Sequence, residues 1–318
     1  MIKLFIVKNG KLYDVPISGF SHTGRKGAAG RSFSADLLDS SSFSRLRIDI
    51  EDGIQCIAYD GDVEVFRGLT ISQSRSKSKV QQITARDNLI YFANNDDTFN
   101  YKDKKASEIF LDLCTRFNIA YGNIADTEYI IPTLSIENGK LWDCVLESLQ
   151  STYKATGNRF YVTSIKGKAH LLKRKEQVQK WIIAEGANLL DYSYSKSIDG
   201  VSTRLKVISD NGIVSSFQKD EELEKKIGVF QKIIQKTDNL NLGQATQETQ
   251  TSLKIESACK EQLTVSGLGI NTVVSGCAIY AIIPEIGINQ SYYVDEDTHT
   301  YQGDLHEMSL TLNKTNEI

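Results

Sequence analysis

Along most of the chain, hydrophobic and polar positions alternate with a period of two. MIKLFIVKNGKLYDV (1–15) alternates up to a turn at Asn9-Gly10 and reads as the first strand of the fold, without the apolar stretch and cleavage site of a secretory signal. RLRIDI (45–50) alternates as well, and IQCIAYDGDVEVFRG (54–68) predicts two short strands around Asp60-Gly61, a favoured hairpin dipeptide. KVQQITARDNLIYFA follows, with Ile83 between polar neighbours. Strands this short, separated by Gly, Asp and Ser turns, predict a small barrel or sandwich over residues 1–98.

The period then lengthens. In KKASEIFLDLCTRFNI, residues Ala106, Ile109, Phe110, Leu113, Cys114 and Phe117 recur at three- and four-residue steps, which predicts an amphipathic helix. NGKLWDCVLESLQSTYKATG predicts a second, with Leu141, Val145, Leu149 and Tyr153 on one face, Trp142 and Leu146 widening it, and Gly157 as its stop. YIIPTLSI between them reads as an extended connection. Strands return in NRFYVTSIKGKAHLL around Lys166-Gly167, and VSTRLKVISDNGIVSSF predicts a hairpin with Asp210, Asn211 and Gly212 at its tip. KDEELEKKIG is a short charged helix or loop. LGQATQETQTSLKIESACKEQL predicts a long helix with a thin stripe of Ala245, Ser252, Ile255, Cys259 and Leu263, a face that needs a neighbour.

Composition narrows the class without naming a chemistry. The 318 residues are 40% hydrophobic and 24% charged, as in ordinary globular domains, and the apolar runs are far too short to cross a bilayer. The formal charge of −3 gives no reason to expect a nucleic-acid or membrane partner. Five cysteines stand singly, without CxxC spacing, which fits buried free thiols of a protein made in a reducing cytoplasm. Cys56, Cys114, Cys144 and Cys277 lie within apolar patterns and are expected in the core.

Three stretches hold candidate chemistry. YYVDEDTHTYQGDLHEMSLTL (292–312) contains two of the four histidines. In HEMSLTL, residues His306, Met308, Leu310 and Leu312 share one strand face. Placing Tyr292 and Val294 on that face pairs Tyr292 with Leu312, Val294 with Leu310, Glu296 with Met308 and Thr298 with His306. His299, Asp295 and Asp297 then point the other way, so a hairpin with a polar rim is expected and no metal site. SHTGRKGAAGRSFS (21–34) resembles a phosphate-cradling loop, but Arg31 stands where the lysine of that pattern belongs and Arg25 where its first glycine belongs. A mobile basic loop that orders on a partner is expected instead. SRSKSK (74–79) and LLKRKEQ (171–177) read first as solvated faces and second as contacts to acidic partners. No nucleophile elbow is present, no carboxylate pair is singled out, and no cofactor is implied.

The order of these features carries more than any one of them. GRKGAAGRSFSADLL, VEVFRGLTIS, QQITARDNLIYFANNDDTFNYKDKKASEIFLDLCTRFNI, YGNIADTEYIIP, KLWDCVLESL, GNRFYVTSIKGKAHLL, GVFQKII and the closing hairpin follow one another as in baseplate hub proteins of contractile phage tails. Within these late-control D-like proteins, the chain is most similar to the subgroup from defective prophages and phage-tail-like bacteriocins of Gram-positive bacteria. The resemblance implies a β-rich α+β protein with two small tail-tube-like β-barrels and a helical insertion between them. It places them at 1–98 for the first barrel, 99–190 for the insertion with two helices and a strand pair, and 191–318 for the second barrel with one long helix. No repeat between the two ends is visible in the sequence.

It further implies a non-enzymatic homotrimer whose subunit contacts bury about 2,000 Å² or more. The ring would join a hexameric tail tube above to a threefold spike below, with wedge and LysM-type tail proteins around it. Assembly in the bacterial cytoplasm, then residence in the baseplate of a released particle, is expected. DNA passage through the lumen is allowed without sequence specificity. Expected partner contacts are the basic loop (Arg25, Lys26, Arg31) and the hairpin tip around His299 and Gly303. The rival readings are a tail-associated peptidoglycan hydrolase, for which the chain reaching its last strand at LTLNKTNEI leaves no room, and a cell-wall-binding module with an exposed aromatic cleft.

Overall fold

The computed structural model describes residues 1–38, 50, 52–75, 80–209, 214–236 and 242–314, and it is mostly β. RLRIDI except Ile50, the 210–212 tip and residues 76–79 of the SRSKSK stretch lie outside the described residues. The chain forms two compact units, Met1–Ser193 with Leu263–Ile318, and Tyr194–Gln262.

The first unit begins with β1 (Ile2–Lys8), β2 (Lys11–Val15), β3 (Ile17–Arg25), β4 (Ser32–Leu38), β5 (Gln55–Asp60), β6 (Val63–Arg75) and β7 (Val80–Asp87). They pair antiparallel in the order β3-β4-β7-β6-β5-β1-β2. Asn9 and Gly10 both take positive φ, +52° and +71°, which the two-residue turn between Lys8 and Lys11 requires. At the β5–β6 hairpin Asp60 pairs with Val63, so the turn residues are Gly61 and Asp62. Alternate side chains, among them Leu4, Ile6, Phe33 and Ile83, make the core of this N-terminal β-region.

The middle region follows with α1 (Ile90–Asn94), β8 (Asp96–Lys105), α2 (Ala106–Arg116), β9 (Tyr121–Ile124), β10 (Ile130–Lys140), α3 (Leu141–Thr156), β11 (Phe160–Ile165) and β12 (Lys168–Lys173). YIIPTLSI is thus part of a strand, paired with β8. All the apolar positions expected on α2 are buried or partly buried, and Gly157 ends α3 at φ +71°. The buried face of α3 is rotated from expectation: Cys144, Ser148 and Thr152 face inward, whereas Leu146 is exposed. The hydroxyls of Ser148 and Thr152 donate to Val145 O (2.8 Å) and Ser148 O (3.0 Å), which satisfies them inside the core. Cys56, Cys114, Cys144 and Cys277 are all buried.

Next come β13 (Val178–Ala184) and β14 (Leu189–Ser197). The second unit contains β15 (Arg204–Ser209), β16 (Val214–Lys219), α4 (Glu221–Ile227), β17 (Gln231–Lys236) and α5 (Leu242–Glu256). β15 and β16 form the expected antiparallel pair. Asp220 caps α4 by accepting from Leu223 N at 3.0 Å. The stripe on α5 differs from the one expected. Ala245, Thr249 and Leu253 are buried, Ile255 is exposed, and Cys259 and Leu263 lie beyond the helix.

The chain closes with β18 (Lys260–Leu268), β19 (Ala278–Ile283), β20 (Ile288–Gln302) and β21 (Leu305–Asn313). β21 pairs with β18 on one side and β20 on the other. The opposite edge of β20 is shared: residues 288–293 pair with β19, and residues 296–302 pair with β3. β20 therefore joins the C-terminal β-region, cored by Val265, Ile279, Val294 and Leu310, to the N-terminal one.

Candidate functional site

A β-bulge at Asp295 decides what the join between β20 and β3 buries. Before it, Tyr292 and Val294 face the C-terminal core; after it, the inward parity passes to Asp297, His299 and Tyr301. The register is Val294 with Leu312, Glu296 with Thr311, Asp297 with Leu310 and His299 with Met308. This corrects the expected pairing of Val294 with Leu310 and Thr298 with His306. It also corrects the outward placement of Asp297 and His299, both of which are 0% exposed. An extra residue in one strand reverses every side chain beyond it. On β3 the same join sets His22 opposite His299 and Gly24 opposite Asp297.

The result is a largely buried polar network between the two β-regions. Arg31 donates from Nη1 to Asp297 Oδ1 at 3.0 Å and from Nη2 to Oδ2, a bidentate pair. Arg31 Nη2 also lies 2.9 Å from His22 Nδ1, and Ser275 N donates to Asp297 Oδ1 at 2.5 Å. The rings of His22 and His299 stack at 4.9 Å. His299 Nε2 is 2.8 Å from Val273 O and its Nδ1 is 2.9 Å from His306 Nε2. Tyr301, stacked on His306 at 4.0 Å, donates to Asn271 Oδ1 at 2.6 Å, and Asn271 donates to Asp60 Oδ2 at 3.0 Å. Two glycines make the room. A Cβ on Gly24 would strike the Arg31 guanidinium and sit 2.7 Å from Ser275 Oγ, and one on Gly269 would strike the His306 ring.

The hydrogen bonds assign one neutral form to each imidazole. A guanidinium only donates, so His22 Nδ1 accepts and its proton sits on Nε2. A carbonyl only accepts, so His299 carries its proton on Nε2, and Nδ1 accepts from His306 Nε2. Burial is the main force lowering all three pKa values. Arg31 and the other two imidazoles lower His22 further, whereas Asp297 partly restores His299. His306 falls to about 4 through burial and His299. Burial also opposes the Arg31 charge, but Asp297 outweighs it and holds the guanidinium protonated. Asp87, which accepts from Arg31 N and Leu89 N at 3.0 Å each, is pushed up to about 6 by burial. Such a network is suited to fixing a strand register; it presents no activated nucleophile. Among the described residues no group of three or more His, Cys, Asp or Glu side chains converges to hold a metal ion.

The residues singled out from sequence fall in two places. Arg31 and His299 are interior members of the network. Arg25, Lys26 and Gly303 are outside it. Arg25 is largely exposed, 3.8 Å from Glu296; Lys26 stands 3.7 Å from Asp295; Gly303 sits at a hairpin tip with φ +61°. The 26–31 segment is not a loop awaiting a partner for its order. Lys26 N donates to Asp295 O at 2.7 Å and Trp142 Nε1 donates to Gly27 O at 2.9 Å. Arg174, read as part of a solvated basic face, is 3% exposed and donates to Asp295 Oδ1 at 2.9 Å. His22, Asp297, Tyr301 and His306 complete the network and were not singled out together. One signal was available: Val294 and Tyr301 are both large, apolar-facing residues seven positions apart, and an odd separation demands a bulge.

With this geometry in hand, comparison with known proteins places the chain. A family model described as YQBQ-like matches residues 21–313. The phage-like element PBSX protein XkdQ of Bacillus subtilis (strain 168) is 29% identical over 322 residues, covering 100% of this chain and 98% of that protein. The 43 kDa tail protein of prophage MuSo2 from Shewanella oneidensis superposes with a TM-score of 0.77 at 14% identity, covering 99% of both chains. A component of the E. coli type VI secretion system, described as structurally similar to the T4 bacteriophage tail proteins gp27 and gp5, superposes at TM-score 0.61 and 8% identity. It is matched over 99% of this chain and 78% of its own. The chain belongs to the YQBQ-like family and has the fold of prophage tail proteins.

Proposed function

We propose that this protein is the structural hub of a contractile, phage-tail-like particle. Three copies form a ring that joins a hexameric tail tube to a threefold spike. The observation that carries the reading is the β3–β20 join: one chain sets two β-regions edge to edge through seven paired positions. If each region acts as one tube-like barrel, with 1–98 and 191–318 as the two and 99–190 as an insertion on the flank, three chains present six such units. That arrangement meets sixfold symmetry on one face and threefold on the other. Similarity to XkdQ over the whole chain, and to a prophage tail protein over nearly all of it, supports the same reading.

On this reading the mechanism is mechanical. The hub keeps the lumen continuous, adapts the symmetry and organises wedge and LysM-type tail proteins before contraction. No residue is catalytic, and DNA passes, where a particle carries it, without base readout. Arg25, Lys26 and Gly303 face outward and are the contacts proposed for tube, spike or wedge. Arg31 and His299 hold the seam that keeps the two β-regions in register. Assembly takes place in the bacterial cytoplasm, and the product resides in the baseplate of the released particle.

The test is the absolute mass of the purified protein by light scattering over a concentration series, alone and with purified tube and spike proteins. A trimer, or a monomer rising to trimer with concentration or with either partner, supports the hub. A monomer under every one of these conditions overturns it.

A further inference from the structure

Outside the seam, one cluster holds more positive than negative charge. Asp295, the bulged residue of β20, accepts from Arg174 Nη2 at 2.9 Å and Asn313 Nδ2 at 3.1 Å, with Lys26 Nζ at 3.7 Å. A third cation is present. Arg159 acts electrostatically on both Lys26 and Arg174, and its carbonyl accepts from Arg174 N at 2.9 Å. Both guanidiniums lie over rings: Arg159 over Tyr153 at 3.6 Å and Arg174 over Tyr293 at 4.4 Å. Arg174 is 3% exposed, so its charge is not simply solvated.

Two observations point to a missing counter-charge. The Nε atoms of Arg159 and Arg174, like that of Arg31 in the seam, are buried and have no hydrogen-bond partner among the described residues. A buried guanidinium N–H left unmet is unfavourable, and an ionised acceptor meets it best. The charge count agrees. Among the described residues Lys26 and Arg174 share one carboxylate, that of Asp295, and with Arg159 the three cations exceed it by two. Burial, with Arg174 and Arg159 adding to it, draws the Lys26 amine down to about 8 in spite of Asp295.

We propose that Lys26, Arg159 and Arg174 form a binding site for a small dianionic oxyanion of the phosphate or sulfate class. A carboxylate would cancel only half of the excess charge; a dianion cancels it. Its oxygens would accept from the unmet Nε atoms of Arg159 and Arg174 and from Lys26 Nζ. The ligand would tie the turn after β3, the β11–β12 pair and the bulge of β20 to one another. The site does not depend on the assembly role proposed above.

The intact protein should be melted against increasing phosphate, and separately sulfate, with sodium chloride matching the ionic strength. The expected result is a saturable rise in melting temperature, absent with chloride. Lys26→Gln and Arg159→Gln should each weaken the apparent dissociation constant by about tenfold while melting normally in chloride. Lys26 is half exposed and its replacement leaves the core untouched, so at least one variant remains readable. A rise that is linear and equal in the wild type and both variants would be general exclusion of the salt from protein surface and would overturn the proposal. Absence of any rise would overturn it equally.

Discussion

Phe92, Phe110, Leu113 and Leu141 close the middle region with apolar surface, whereas the seam between β3 and β20 is closed around His22, Arg31, Asp297 and His299. Both interiors are buried, but they carry different information. Apolar packing stabilises in proportion to the area it buries and tolerates small shifts, because dispersion has no preferred direction. The seam adds directional bonds. Slipping β20 by one residue against β3 would turn Asp297 outward and leave the Arg31 guanidinium buried without a counter-ion. The middle region is built for stability and the seam for register, which is what a join between two β-regions needs.

The contrast is broken most severely by removing one charge. Asp297→Leu should destabilise the protein by about 3–5 kcal/mol, because it strands Arg31, and urea unfolding measures it. The double variant Arg31→Met, Asp297→Leu should recover most of that loss, since an apolar pair of similar volume has no charge to desolvate. A double variant as unstable as the single would mean that the pair's remaining bonds, to Ser275 N and His22, matter more than its charge. Phe110→Ala in the middle region should cost a similar amount, about 3–5 kcal/mol, through lost burial and the cavity left behind. No second substitution of a neighbour should rescue it.

The two regions should separate again with pH. The folded-state pKa values of His22, His299 and His306 are all depressed below the ordinary 6.5. At these three sites the unfolded chain therefore binds more protons between 6.5 and the folded values, about 4 for His306, and their contribution to stability rises with pH across that window. Below 6 it is opposed by the single carboxyl of Asp87, which burial raises to about 6. The histidine contribution is fully present above 6.5 and lost as pH falls toward 4. Thermal melts between pH 7.5 and 4.5 should show this slope in the wild type and in Phe110→Ala alike. His22→Gln keeps an acceptor for Arg31 but cannot take up a proton, so its slope should be shallower. An unchanged slope would move the titration away from His22 and onto the His299–His306 pair.

How much of this the sequence disclosed follows from the same contrast. α2 is legible because five of its six buried positions are apolar and repeat at helical spacing, and the ends of α3 and β11 are legible from Gly157 and Lys166-Gly167. The buried faces of α3 and α5 depart from the apolar pattern where a hydroxyl stands in for an apolar side chain. Thr249 is fully buried because it donates to Ala245 O at 2.6 Å, so a threonine there packs like a valine. The seam was harder for two physical reasons. A bulge leaves only a parity change as its local trace, and the partner strand is far away in the chain, as with the Thr23 and Thr298 hydroxyls, 275 residues apart yet 3.0 Å from each other. Five residues chosen as contacts were therefore split, Arg31 and His299 turning out to be interior.

The smallest effect gives the sharpest control on the comparison. Gly157 ends α3 beside the middle core, and Gly303 turns the β20–β21 hairpin that feeds the seam. Both hold positive φ, +71° and +61°, and at both a Cβ would meet nothing within 4 Å. Replacing either by Ala should therefore cost only the left-handed backbone penalty, about 1 kcal/mol in each case, with no packing contribution. Equal losses by urea unfolding would place register control in the buried network, since the turn then behaves like any helix cap. A markedly larger loss for Gly303→Ala would shift that control to the turn, and the Asp297 and His22 variants would then be reporting on a register already chosen by the hairpin tip.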